Sequence, residues 1–118
     1  MTRRDRGAAT IWALALTNAL LLIGLAAAGV ASLAVSRQRV ATVADVAAVA
    51  AAQAVGDPCA EAGASVAANG MVLEACATDG TDIVVVVSTE ATGVARRLLG
   101  LVGRAAPVIT ASARAGPP

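Results

Sequence analysis

The sequence predicts an α+β chain: one long N-terminal helix, then a short helix and a small three-stranded antiparallel sheet. Three observations carry that prediction. Residues 7–35 contain no charged side chain, and residues 40–55 contain neither Gly nor Pro but abundant Ala, the best helix former. Further on, two apolar stretches flank the turn-forming DGTD of residues 79–82, and an alternating stretch, PVITASARA, follows at residues 107–115. With 58% hydrophobic residues and a mean hydropathy of +0.75, part of this 118-residue chain belongs in lipid or in a tight helix interface.

The first element is a helix over residues 8–35, preceded by a basic leader over residues 1–7. A helix needs about 20 apolar residues to cross the hydrocarbon core, and this run is longer than that. It also exceeds the roughly 7–15 residues of a signal-peptide core, so a retained single-pass anchor is expected. The competing expectation is a cleaved secretory signal: AAAGVA at residues 26–31 offers small residues suited to signal peptidase, and cleavage there would release a small secreted binding domain of the envelope. Arg3, Arg4 and Arg6 before the span outnumber Arg37 and Arg39 just after it, which places the N-terminus in the cytoplasm and the head outside the cell membrane. Trp12 fits the interfacial belt. Gly24 and Ala28 are four apart, as are Ala27 and Ala31, a spacing that lets a second helix approach closely, with Asn18 available to bond across the interface. The alternative is that these small residues reflect the alanine bias of the whole chain.

Helix is expected to continue over residues 36–55, so that residues 8–55 form a rod of about 70 Å, more than twice the thickness of a bilayer's apolar core. Val40, Val43, Ala47, Ala50 and Ala54 fall at heptad-like spacing on one small-toothed seam, suited to packing on a sheet or on neighbouring helices.

The extracytoplasmic head is expected over residues 56–118. Gly56, Asp57 and Pro58 break the chain, Asp57 can cap a second helix with Pro58 at its first position and Glu61 in its first turn, and Asn69 and Gly70 can end it. Residues 71–78 and 83–89 read as a hairpin around the turn. The valine run of its second strand, apolar on both faces, implies a covered central strand. Residues 90–107 read as a loop tucked over the sheet, because Gly93, Gly100 and Gly103 weaken any helix. The other reading is a short amphipathic element on lipid, with Val94, Leu98, Leu101 and Val102 on one face and Arg96, Arg97 and Arg104 beside it. Residues 107–115 supply the third strand. Burial barely offsets chain entropy in a head of about 60 residues. Cys59 and Cys76, an even pair suited to an oxidising compartment, are expected to form a disulfide worth about 3 kcal/mol in the chain-entropy model; two buried free thiols are the alternative.

Chemistry is sparse. Every basic side chain is Arg, with no His or Lys, so the usual proton shuttle, the commonest metal ligand and any Schiff-base amine are missing. Ser88, Thr89 and Ser112 therefore lack an activating base. The DGTD carboxylates offer too few ligands for calcium and read more simply as a turn. A net charge of +1 and a single aromatic residue argue against a nucleic-acid surface. No enzyme activity, catalytic residue, cofactor, metal or small-molecule substrate is expected.

In order and spacing, RDRGAATIWALAL at residues 4–16, RQRVATVADVAAVAAA at 37–52, GDPC at 56–59, ANG at 68–70 and DGTDIVVVV at 79–87 resemble the TadE-like proteins of tight-adherence pilus and secretion loci, and more broadly the minor pseudopilins. The resemblance implies a pilin-like fold and a non-enzymatic membrane component of a pilus or type II/IV-like secretion apparatus, meeting other pilin-like or secretion subunits through its N-terminal helix. It makes the bond between Gly7 and Ala8 a candidate processing site for prepilin peptidase. Pilins and TadE proper are expected to carry a glutamate five residues beyond that cut, where this chain has Trp12. A membrane glutamate is costly unless paired with a neighbour's amine, so the chain lacks the usual docking charge. That departure implies a place at the base or tip of an assembly, or an accessory role in the membrane, rather than a shaft subunit.

Overall fold

The computed structural model describes residues 3–117, with side chains over residues 5–117. Met1 and Thr2 of the expected leader, and the side chains of Arg3 and Arg4, lie outside the described residues. The molecule is a rod carrying a small head, 82 × 30 × 20 Å along its principal axes.

One uninterrupted helix, α1, runs Arg3–Ala52, taking in the end of the leader as well as both expected halves. It stops three residues short of the expected Val55. The last turn tightens, with the Ala54 amide donating to the Ala51 carbonyl, before Gly56 and Pro58 redirect the chain. Helix α2, Pro58–Ala68, follows with the expected start: the Asp57 carboxylate accepts from the Cys59 amide at 3.0 Å and Pro58 occupies the first turn. Asn69 caps its C-terminus, and Gly70 turns the chain with φ +69°.

Strands β1 (Val72–Asp79), β2 (Asp82–Glu90) and β3 (Val108–Ala115) form an antiparallel sheet in the order β1-β2-β3. Gly80, with φ +66°, and Thr81 make the two-residue turn that closes the β1–β2 hairpin, the geometry in which glycine is favoured at the first central position. Glu74 is the extra residue of a bulge between Leu73 and Ala75, and its carboxylate accepts a hydrogen bond from the Ser88 hydroxyl.

The valine run is central, as expected, but only one of its faces is fully covered. Ile83, Val85 and Val87 point into a core built with Val40, Val43, Ala44, Ala47, Ala48 and Ala51 of α1 and Ala62 and Val66 of α2. Val84 and Val86, on the opposite face, are half-buried, because none of the described helices lies over them. The seam on α1 is also phased differently. Val40, Val43 and Ala47 are buried as expected, but Ala44, Ala48 and Ala51 complete the stripe, while Ala50 and Ala54 stand at its edge. A straight helix of 3.6 residues per turn drifts off a heptad, and packing on a sheet imposes no supercoil to correct the drift.

The largest departure lies between β2 and β3. Residues 94–101 are a helix, α3 (Val94–Leu101), where a loop over the sheet was expected. Gly93 and Gly103 fall at its margins, leaving only Gly100 inside, and α3 rests on α1 rather than on the sheet.

Candidate functional site

Among the described residues no cleft gathers reactive groups, and what the structure offers is surface. From Ile11 to Val30 the side chains of α1 project without cover: Trp12 is 77% exposed, Leu14 60%, Ile23 65% and Val30 69%. This helix is long and apolar enough to cross a membrane. From Val40 onward one face of the same helix is sealed by the head, while Val46 and Val49 stay half-exposed on its back.

Gly7 and Ala8 are helical and exposed, and a side chain at Gly7 would meet nothing within 4 Å. Asn18, Gly24 and Ala28 are likewise exposed. The structure does not bring these three together: six residues of helix rotate Gly24 by about 120° from Asn18. Asn18 shares its face with Gly29 and Ser36, the face that carries the head, while Gly24 and Ala28 look out along a flank. Ala28 lines an open trough with Ala31, Val35, Arg39, Thr92 and Gly93, beside the start of α3.

The junction of α1 with α3 was not read from the sequence. Ala95 is buried there, Leu98 and Leu99 half-buried, and Gly29 is buried within an otherwise exposed stretch. A Cβ at Gly29 would come within 3.3 Å of Leu98 Cδ1, so its absence sets how closely α3 approaches. The Ser32 hydroxyl donates to the Thr92 carbonyl at 2.8 Å, and Ser36 donates to the Ser32 carbonyl at 3.0 Å. Gly93 is doubly constrained: its φ is +75°, and a Cβ would stand 2.9 Å from Ser32 Oγ. The available sequence signal was the helical spacing of Ala95, Leu98 and Leu99, three and four residues apart, outweighed by the glycines around it.

Cys59 and Cys76 form a disulfide, with Cα atoms 5.8 Å apart, joining the first turn of α2 to the middle of β1. At the far end of the head, Arg114 bonds Asp82 at 2.7 Å and Asp79 at 2.5 Å, so both turn carboxylates are engaged by a guanidinium. The Asp82 bond, and after it the Asp79 bond, raise the Arg114 pKa above its ordinary range. A raised pKa leaves the contribution intact below the unfolded value and removes it only as pH climbs through the folded one, so these pairs add no pH dependence from the arginine near neutrality.

Charge is sorted along the head. Arg37, Arg39, Arg96, Arg97 and Arg104 lie toward the apolar half of α1, against Glu74 and Glu90; Asp57, Glu61, Asp79 and Asp82 lie toward the opposite end, with Arg114. Among the described residues no three acidic or cysteine side chains cluster as metal ligands would. Compared with known protein families, with curated proteins and with solved structures, the chain has no match.

Proposed function

We propose that the protein is a non-enzymatic, single-pass membrane component of a pilus or type II/IV-like secretion apparatus, TadE-like in class. Residues 8–35 are the span, the N-terminus is cytoplasmic, and the disulfide-tied head acts outside through contacts with partner subunits. The observation that carries this reading is the division of α1: its first half exposes large apolar side chains on every side, which lipid and neighbouring helices would cover, and its second half is the head's own core wall. The disulfide supports an exported head, since such bonds persist in oxidising compartments. The flanking arginines support the orientation. The TadE-like resemblance supplies the class of machine, and Trp12 in place of the docking glutamate favours an accessory or terminal position over the shaft.

Mild crosslinking in native membranes, followed by capture of the protein, tests the assignment. Subunits of a pilus or secretion machine are expected among the linked partners; linkage only to soluble envelope proteins would overturn it. A second reading, a secreted binding domain cut after Ala31, has one observation in its favour: every residue of the main core lies beyond that cut. Against it, the contact of Gly29 with Leu98 straddles the cut and would be lost. The mass of the mature chain separates the readings: loss of residues 1–31 favours the second, and loss of residues 1–7, or no loss, favours the first.

A further inference from the structure

We infer that α3 is an interfacial foot: it seats the head on the outer face of an anionic bilayer, with Leu101 and Val102 dipping into the acyl boundary and Arg96, Arg97 and Arg104 meeting lipid phosphates. The inference rests on the proposed span and extends it to a part of the chain far away in sequence. Its first support is position. With Trp12 in the inner interfacial belt, about 20 residues of helix carry α1 across the hydrocarbon and bring Ala31 and Ser32 to the outer boundary. Gly29 and Ser32 are where Leu98, Thr92 and Gly93 pack, so α3 lies at that boundary.

The second support is an uncovered apolar arc. Helix α1 covers Ala95 and parts of Leu98 and Leu99, but Leu101 is 83% exposed and Val102 70% exposed. In water these side chains gain nothing, while at a bilayer surface they continue the apolar surface of α1. The third is charge. Arg96 is exposed across α3 from Leu101, Arg97 is exposed one turn before Leu101 at the rim of the apolar arc, and Arg104 is exposed just beyond the helix. An exposed apolar arc rimmed by arginines, whose long stems let the guanidinium groups reach the headgroups, is that of a helix lying in the interface. The acidic groups Asp57, Glu61, Asp79 and Asp82 sit at the other end of the head, where they do not oppose contact with anionic lipid. Glu90 is the exposed carboxylate nearest to α3 in sequence, and the five arginines of that end outweigh it together with Glu74.

Tryptophan fluorescence in the full-length chain tests the inference, because the sequence holds one Trp. The chain is reconstituted in phosphatidylcholine vesicles containing phosphatidylglycerol, with or without brominated acyl chains. Native Trp12 reports the span; the variant Trp12→Phe with Leu101→Trp reports the foot; Trp12→Phe with Thr81→Trp reports the distal turn. Positions 101 and 81 are exposed, so the fold tolerates both reporters. The expected result is brominated-lipid quenching and a blue-shifted emission at positions 12 and 101, with water-like, unquenched emission at position 81. Replacing the anionic lipid by phosphatidylcholine should reduce the seated population by roughly fivefold per engaged arginine, as should Arg97→Glu. Quenching at position 12 without quenching at 101 overturns the foot and leaves the span standing. A blue-shifted but unquenched position 101 also overturns it, in favour of cover by a second copy. Loss of quenching at position 12 removes the span and the foot together.

Discussion

The two halves of α1 are made from similar residues and meet opposite fates. Over residues 8–28 every side of the helix is exposed; over residues 40–51 one stripe of Val and Ala packs against sheet and helix until its exposure falls below a tenth. Alanine content does not separate them, since both halves are rich in it. What differs is the size and placement of the larger side chains and the charge. The first half carries Leu and Ile around its whole circumference, which suits an isotropic apolar solvent, whereas the second keeps its small teeth on one stripe and places Gln38, Asp45 and Gln53 outside it. One helix can thus be written in two solvent codes without a break in its backbone hydrogen bonding.

Substitutions that exchange the codes give the largest expected effects. Asp45 is exposed and tolerated in the second half. Leu21→Asp together with Ile23→Asp in the first half should cost about 3 kcal/mol each for membrane insertion and move the protein out of the membrane fraction. If the doubly charged chain still resists alkaline extraction, the first half does not span. Next comes the disulfide, which concerns only the head. Cys59→Ser with Cys76→Ser should destabilise it by about 3 kcal/mol, lowering its melting temperature by roughly 15 °C, while the membrane fraction is unchanged.

Enlarging an alanine sharpens the contrast further. Ala47→Leu should cost about 1–3 kcal/mol of head stability, because no space surrounds it, and Ala27→Leu should leave head melting unaltered. Gly93→Ala, strained by its positive φ and close to Ser32 Oγ, should cost about 1–2 kcal/mol and loosen α3, seen as faster hydrogen exchange over residues 94–101. The smallest effect is expected from Arg114→Ala, whose ion pairs with Asp79 and Asp82 are exposed to solvent: a shift of the melting temperature near the precision of the measurement.

Elements defined by local chemistry were legible in the sequence. Asp57 and Pro58 start α2, Asn69 and Gly70 end it, Gly80 closes the hairpin, and the alternation of residues 107–115 supplies β3. Each of these signals acts within a few residues of the feature it specifies. What escaped depended on partners distant in sequence. Helix α3 exists because Gly29, some 65 residues earlier, makes room for Leu98, and local propensity alone favoured a loop. The exact phase of the α1 seam was set by the sheet it packs on, and the one-sided cover of β2 by the number of helices available to lie over it. At the candidate surfaces, the apolar run and the cysteine pair were plain in the sequence. The separation of Asn18 from Gly24 and Ala28 needed helical phase, which listing residues four apart leaves out.

On the proposed reading, one uncut helix passes from lipid into the head's own core. Photolabelling of the mature chain in its native membrane, with a lipid-dissolved carbene reagent and peptide-level readout, measures this directly. Dense labelling is expected between Ile11 and Val30 and almost none on the buried stripe from Val40 to Ala51, both within a single intact polypeptide. Labelling that is absent from the first stretch, equal over the two, or found on a fragment separated from the head would contradict that reading.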